Sequence, residues 1–379
     1  MSDAVGPIPE FSYPTRWSHG RGLARRTGEV LGRLGCKNPL VLSGPNCLRL
    51  GVAEPVLASL REAGFEYTIC DAVNKEPTVA LFDSIASDLD LAKFDAIVAV
   101  GGGSQLDSAK GLALISSFGG SIRDYAGFDK VPGVPRTKVI AIPTTSGTGS
   151  EVSDGSVLID EERKTKFIVI AKEINPTVAL TDPLMTLTAP PQVTAFSGSD
   201  ALVHACESYC SKLASPASEM FSLRGIELLT RNVVAAMEDG KNVDVRENMQ
   251  LGATMAMSAG TNAKQGLAHA AAMPICALYH MPHGQAVGML LPYVLAYNAS
   301  VVGAKVDNIF KAMGFGADGF AGLEALMTRI GVAARLSDFG FKEEHMAAIV
   351  KETMASTQYP SAPGTPTAED IEGIIRRMI

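Results

Sequence analysis

The chain has 379 residues, 46% hydrophobic and 19% charged, and its 33 basic and 40 acidic side chains leave a formal charge of −7. At about 150 residues per domain this length suggests two or three domains with a sizeable core, and the apolar content excludes disorder as the dominant state. The negative balance argues against a general electrostatic grip on nucleic-acid backbone or on an anionic membrane.

The first ten residues, MSDAVGPIPE, carry neither a basic nor an apolar leader region, so no signal peptide is expected. Four short apolar runs follow, 39–43 (PLVLS), 65–70 (FEYTIC), 95–100 (DAIVAV) and 138–142 (KVIAI), each suited to a strand buried on both faces. Between them, 48–63 and 78–89 place apolar residues at three- and four-residue spacing, as helices covering a sheet do. This alternation predicts a parallel, Rossmann-like α/β sheet with ligands at the carboxyl ends of its strands.

Two loops sit where such a ligand would lie. GGGSQLDSAK (101–110) follows the third run, and its glycines and helix start suit a phosphate. It is neither G-x-G-x-x-G nor a Walker loop, and an ordinary glycine-rich turn capped by Ser104 is an equal alternative. PTTSGTGSEV (143–152) follows the fourth run and offers hydroxyls to phosphate or ribose, the alternative being a solvated turn.

Beyond about residue 190 the chain turns helical, at 192–213, 217–237 and 245–260, which places the domains at 1–188 and 189–379. The longest apolar stretch, 286–297, is broken by Gly288 and Pro292 and falls short of the roughly 20 residues a membrane span needs. A proline-rich loop at 359–367 precedes a last short helix. Cys36, Cys47, Cys70, Cys206, Cys210 and Cys276 lack C-x-x-C spacing, so reduced thiols and a cytoplasmic location are expected.

Histidine is scarce, yet His269, His280 and His283 fall close together. Asp200 and His204, four apart in SDALVHACE, share a helix face. One carboxylate with imidazoles suits Fe²⁺ or Zn²⁺ better than Ca²⁺ or Mg²⁺. Spacing alone leaves open that these histidines are satisfied core residues, and that His280 competes with His283.

Taken together, GGGSQLDSAK, PTTSGTGSEVS, the 164–167 stretch KTKF, GSDALVHACE and GLAHAAAMPICALYHMPHGQAVGMLLPYVLAYN resemble the iron-dependent alcohol dehydrogenase family. The resemblance implies an α/β dinucleotide-binding domain, an all-helical domain and a metal on Asp200, His204, His269 and His283, with His280 a bystander. It also implies pyrophosphate on Gly102, Gly103 and Ser104 with Asp107 at the helix start, nicotinamide near Thr144, Thr145 and Thr148, and ribose on Lys166. The implied reaction is reversible hydride transfer between NAD or NADP and an aldehyde or alcohol, in a homo-oligomer such as a dimer. Lyase or cyclase chemistry, polyol oxidation, and a nucleotide sensor without turnover are the other readings of this scaffold.

Four positions depart from the family's pattern. Met273 stands where relatives often carry a second histidine, and a thioether cannot shuttle a proton, so water or a ribose hydroxyl is expected to do so. Lys264, five residues before His269 and beside Gln265, suggests an anionic tail on the substrate: carboxylate, sulfonate or phosphonate. A solvent-facing Lys264, or one touching cofactor phosphate, is the alternative. Gly44 replaces an aspartate that would repel a 2′-phosphate, so NADPH is not excluded and dual or NADP use is slightly favoured, although Arg49 is the nearest basic residue; Glu76 replaces an asparagine before Pro-Thr.

Overall fold

The computed structural model describes residues 10–163 and 165–379; the leader expectation for residues 1–9, and Lys164 of the 164–167 motif, lie outside them. Contacts divide the chain into two units: Tyr13–Pro190 with Asp239–Leu251, and Pro191–Glu238 with Gly252–Ile379 and residues 10–12. The division expected after residue 188 falls at Pro190, and 239–251 goes with the first unit. Polar contacts explain the latter. Arg246, buried, donates to the carbonyls of Gly240 and Ala189 at 3.0 Å each, Lys241 to Leu187 at 3.0 Å and Gln250 to Pro143 at 3.3 Å.

In chain order the first unit contains β1 (Arg16–His19), α1 (Thr27–Arg33), β2 (Pro39–Ser43), α2 (Pro45–Arg49), α3 (Glu54–Glu62), β3 (Thr68–Cys70) and α4 (Val79–Asp88). β4 (Ala96–Gly101), α5 (Gly103–Phe118), β5 (Gly127–Phe128), β6 (Lys138–Pro143), β7 (Gly155–Asp160), β8 (Thr165–Ile170) and β9 (Val178–Thr181) follow. Six strands form one parallel sheet in the order β1-β9-β6-β4-β2-β3. Every residue of β2 and β4 is buried, as strands covered on both faces must be. Leu40, Leu42, Ile97 and Ala99 pack under α4 and α5, while Val41, Val98 and Val100 meet Leu31, Val56 and Leu60 on the other face.

The chain steps from β2 out to β3 and then back past β2 to β4, so the winding reverses between β2 and β4. In open α/β sheets a ligand crevice opens at such a point, beyond the carboxyl ends. FEYTIC becomes a strand only over Thr68–Cys70, at the sheet edge. The segment 48–63 forms two helices, because Gly51 with φ +70° stops α2 and Pro55 restarts the chain in the first turn of α3. A smaller sheet in the order β5-β8-β7, with an antiparallel β7-β8 hairpin, was not expected from the sequence.

The second unit is helical: α6 (Pro191–Cys210), α7 (Pro216–Glu238), the latter part of α8 (Val243–Ala263), α9 (Leu267–Tyr279) and α10 (His283–Met313), then α11 (Gly319–Arg329), α12 (Met346–Ala355) and α13 (Ala368–Arg376). The apolar stretch 286–297 does not stop at Gly288 or Pro292; α10 runs through both, and Val302 alone departs from helical angles. By length and composition alone α10 could span a membrane, but more than half of its most apolar stretch is buried inside the protein, as in a core helix.

Candidate functional site

α6 places Asp200 and His204 one turn apart, α9 carries His269 and α10 begins at His283. One carboxylate oxygen, Asp200 Oδ1, stands 3.7 Å from His204 Nε2, 3.5 Å from His269 Nε2 and 3.6 Å from His283 Nε2. Two ligands each about 2.1 Å from a tetrahedral cation lie roughly 3.4 Å apart, so each imidazole stands near ligand spacing from Asp200, while among the described residues the mutually close set is Asp200, His269 and His283 and His204 falls outside it. Asp200, His269 and His283 offer ligand atoms all within 4.8 Å of one another. Asp200 Oδ1 and His269 Nε2 are buried without a hydrogen-bond partner, which a bound cation would remedy. His280 caps the end of α9 with φ 51° and is exposed.

Two glycines bring α10 this close to α6. A Cβ at Gly284 would lie 2.0 Å from the Phe196 carbonyl oxygen and one at Gly288 would lie 2.0 Å from Ser199 Oγ. Nothing larger fits at either position, and the approach delivers His283 to Asp200. Neither glycine carries a local sequence signal of this role.

Glu207 is a further residue of the site that the sequence pattern does not single out. This buried carboxylate accepts the Nδ1–H of His269 at 2.7 Å and the amides of Gly266 at 2.9 Å and Ala268 at 2.5 Å. It thereby caps the start of α9 and turns Nε2 of His269 toward Asp200. The available signal was a carboxylate three residues after His204 on the same helix.

Burial lowers the His204 pKa to about 4, so this imidazole is neutral and ready to ligate at pH 7. Burial would raise Asp200, but the surrounding imidazoles override it and hold the carboxyl below its usual range. Burial also works against a charged His269, yet Asp200 and Glu207 on either side raise it from 6.5 to about 9. In metal-free protein this charge adds stability that is complete below pH 6.5 and is lost as pH rises through about 9. A divalent cation needs the Nε2 lone pair, so its binding at pH 7 should expel about one proton, and none near pH 10. Calorimetric titration in buffers of different ionisation heat measures this; buffer-independent heats at pH 7 would disprove it.

In the first unit, the two loops after β4 and β6 touch. The Thr144 amide donates to the Gly101 carbonyl at 2.9 Å, and a Cβ on Gly103 would stand 2.9 Å from the Thr148 methyl. A Cβ on Gly102 would meet Thr145 at 3.7 Å. Gly102, not Ser104, occupies the cap position of α5; its amide donates to Gln105 Oε1 at 3.1 Å. The amides of Gly103 and Ser104 open the helix and have no intrahelical acceptor, which makes them available to a phosphate. The buried Ser146 hydroxyl has no partner among the described residues. A glycine at 103 pressed against Thr148, open helix amides and an orphan hydroxyl fit a dinucleotide at the winding reversal.

Comparison with known proteins agrees with both halves. Residues 14–183 match the family described as iron-containing alcohol dehydrogenase, and 194–379 match its C-terminal part, described as Fe-containing alcohol dehydrogenase family, C-terminal. The chain belongs to the iron-containing alcohol dehydrogenase family. It is 31% identical to the NAD-dependent methanol dehydrogenase of Bacillus methanolicus, over 98% of this chain and 100% of that protein. A crystal structure of 1,3-propanediol oxidoreductase superposes with a TM-score of 0.94 at 31% identity, covering 98% of this chain and 100% of the other. Sulfoacetaldehyde reductase from Bifidobacterium kashiwanohense, in complex with NAD+, superposes with a TM-score of 0.91 at 26% identity, covering 98% and 99%.

In this family member the departing positions have definite places. Lys264 lies on no helix face: it follows the end of α8, half-buried, with φ +62°, a left-handed backbone that glycine adopts without strain. Met273 is half-buried on α9, one turn beyond His269. Asp107 turns its carboxylate to the protein itself, accepting from Ser150 Oγ at 2.5 Å and the Val157 amide at 3.0 Å. Gly44 follows β2, and Lys166 on β8 donates to Glu76 Oε1 at 2.7 Å.

Proposed function

We propose that this protein is an NAD(P)-linked, metal-dependent alcohol dehydrogenase or aldehyde reductase, and that its substrate is a short aldehyde with an anionic tail. The observation that carries the first part is the convergence of three imidazole nitrogens on one orphan carboxylate oxygen at 3.5–3.7 Å. Fe²⁺ is the metal the family description favours, and Zn²⁺ fits the same donors. When bound, the metal supplies a Lewis acid for a carbonyl oxygen and the dinucleotide supplies the hydride.

The chain's own residues do the rest. Asp200 contributes the negative charge that a divalent cation needs. Glu207 keeps the proton of His269 on Nδ1, so Nε2 presents its lone pair. Gly103 and Ser104 offer amides to pyrophosphate. Met273 offers no proton, so protonation of the product oxygen falls to water or a ribose hydroxyl, and the rate should lack the titration of a side-chain acid at this position.

The anionic tail rests on Lys264. A non-glycine residue in the left-handed region costs about 1 kcal/mol, and such strain is commonly retained where a side chain has work to do. A relative that reduces sulfoacetaldehyde, by its name, handles an aldehyde of this class. Lys264→Ala is expected to raise KM for sulfonate- or carboxylate-bearing aldehydes by about tenfold while leaving neutral aldehydes unchanged. Lys264→Gly should do the same and raise the melting temperature. Oxidation of NADH and NADPH by Fe²⁺- or Zn²⁺-loaded enzyme, against a panel of neutral and anionic aldehydes, tests the whole reading. Failure to turn over any aldehyde would refute it, and an equal change in KM for both aldehyde classes would refute the role of Lys264.

A further inference from the structure

We propose that Glu76, held by Lys166, is the residue that selects NAD over NADP in this chain, in place of an acidic residue at position 44. The inference rests on the dinucleotide reading above. Doubly wound sheets that prefer NAD place a carboxylate against the ribose 2′-hydroxyl, where it accepts a hydrogen bond and repels a 2′-phosphate. The end of β2 cannot supply it here. Gln105 spans the ends of three strands: its Oε1 accepts the Gly102 amide after β4 at 3.1 Å, and its Nε2 donates to the Val73 carbonyl after β3 at 3.0 Å. A Cβ on Gly44, after β2, would lie 2.8 Å from that Nε2 and 3.2 Å from the Val73 oxygen. The space for a side chain at 44 is filled by Gln105.

The same loop after β3 carries a carboxylate three residues beyond Val73. Pro77 accepts the Ile159 amide at 2.9 Å and Thr78 bridges to Ile159, which fastens the loop to β7. Ile159 is also the cross-strand partner of Lys166 on β8. The hairpin therefore sets the Lys166 ammonium against Glu76 at 2.7 Å. Both side chains remain open to a ligand, Glu76 at 56% and Lys166 at 29% exposure. With pyrophosphate at the end of β4 and the hydroxyl loop after neighbouring β6, the other nucleoside has the β2–β3 side of the sheet, where Glu76 stands. Glu76 acts twice in one direction: it repels a 2′-phosphate, and it neutralises Lys166, a basic group that would reward that phosphate.

Titration of NADH and NADPH into metal-free, full-length protein, followed by nicotinamide fluorescence, tests this without turnover. Wild type should bind NADH at least about tenfold more tightly than NADPH, and Glu76→Gln should shift the ratio toward NADPH by about tenfold or more, the order of one unit-charge interaction at close range. Adding Lys166→Met to Glu76→Gln should remove the gain for NADPH. A ratio unchanged within about twofold in Glu76→Gln, or a wild type that prefers NADPH, overturns the assignment while leaving the dinucleotide reading intact. A wild type that binds neither nucleotide overturns that reading and this inference with it. Melting curves of each variant verify that the fold is retained.

Discussion

Asp200→Asn should leave a folded protein that no longer retains a divalent metal, with metal affinity and turnover both lower by on the order of a thousandfold. The amide keeps the shape of the carboxylate and removes the single charge around which the three imidazoles are arranged. Metal content after dialysis and chelator competition measure the loss. Glu207→Gln is the informative companion. Glutamine still accepts from His269 Nδ1 and the Gly266 amide through its oxygen, but its NH₂ group then faces the amide donor of Ala268, and the charge that raises His269 is gone. Metal affinity should fall about 10- to 100-fold, and stability by about 1–3 kcal/mol from the buried unsatisfied amide. If Glu207→Gln lowers the melting temperature and leaves metal affinity unchanged, Glu207 only caps α9.

The parts of this molecule that follow from local pattern were legible in the sequence. PLVLS, DAIVAV and KVIAI are continuously apolar, and each is a buried parallel strand. Thr78 announces α4 because its hydroxyl accepts the Leu81 amide at 3.2 Å. β1, with alternating exposure at the sheet edge, and the two-residue β5 carry too little apolar pattern to be seen alone. In the cluster on α6, α9 and α10, spacing could join Asp200 to His204, since one helix turn does so. It could not bring in His269 and His283, whose approach depends on how the helices pack; the family resemblance named them instead. Gly284 and Gly288 show why: their role is the space against Phe196 and Ser199, a property of two helices at once. Glu207 and Gln105 were invisible for a related reason, as each acts through backbone groups of a distant segment.

Lys110→Met should be the most destabilising single change in the first unit, by about 3–5 kcal/mol. Lys110 is fully buried on α5, and all three of its ammonium protons are used: by Ser150 Oγ at 2.8 Å, Ser153 Oγ at 2.9 Å and the Gly155 carbonyl at 2.7 Å. Burial lowers its pKa, and Asp107, Asp154 and Glu151 oppose that fall. Methionine fills the volume and satisfies none of these acceptors, leaving the part-buried Gly155 carbonyl without its ammonium and Asp107 without its nearby cation. The segment it holds joins the hydroxyl loop of 143–148 to β7, so loosening it should also weaken binding of NADH to metal-free protein, by about tenfold. Denaturant midpoints and nucleotide titration measure the two effects. The metal ligands lie in the other unit, and the metal content of Lys110→Met should match that of wild type. A variant that keeps its midpoint would show that the serines and the Gly155 carbonyl find water instead, and that the ammonium is not what fixes the loop.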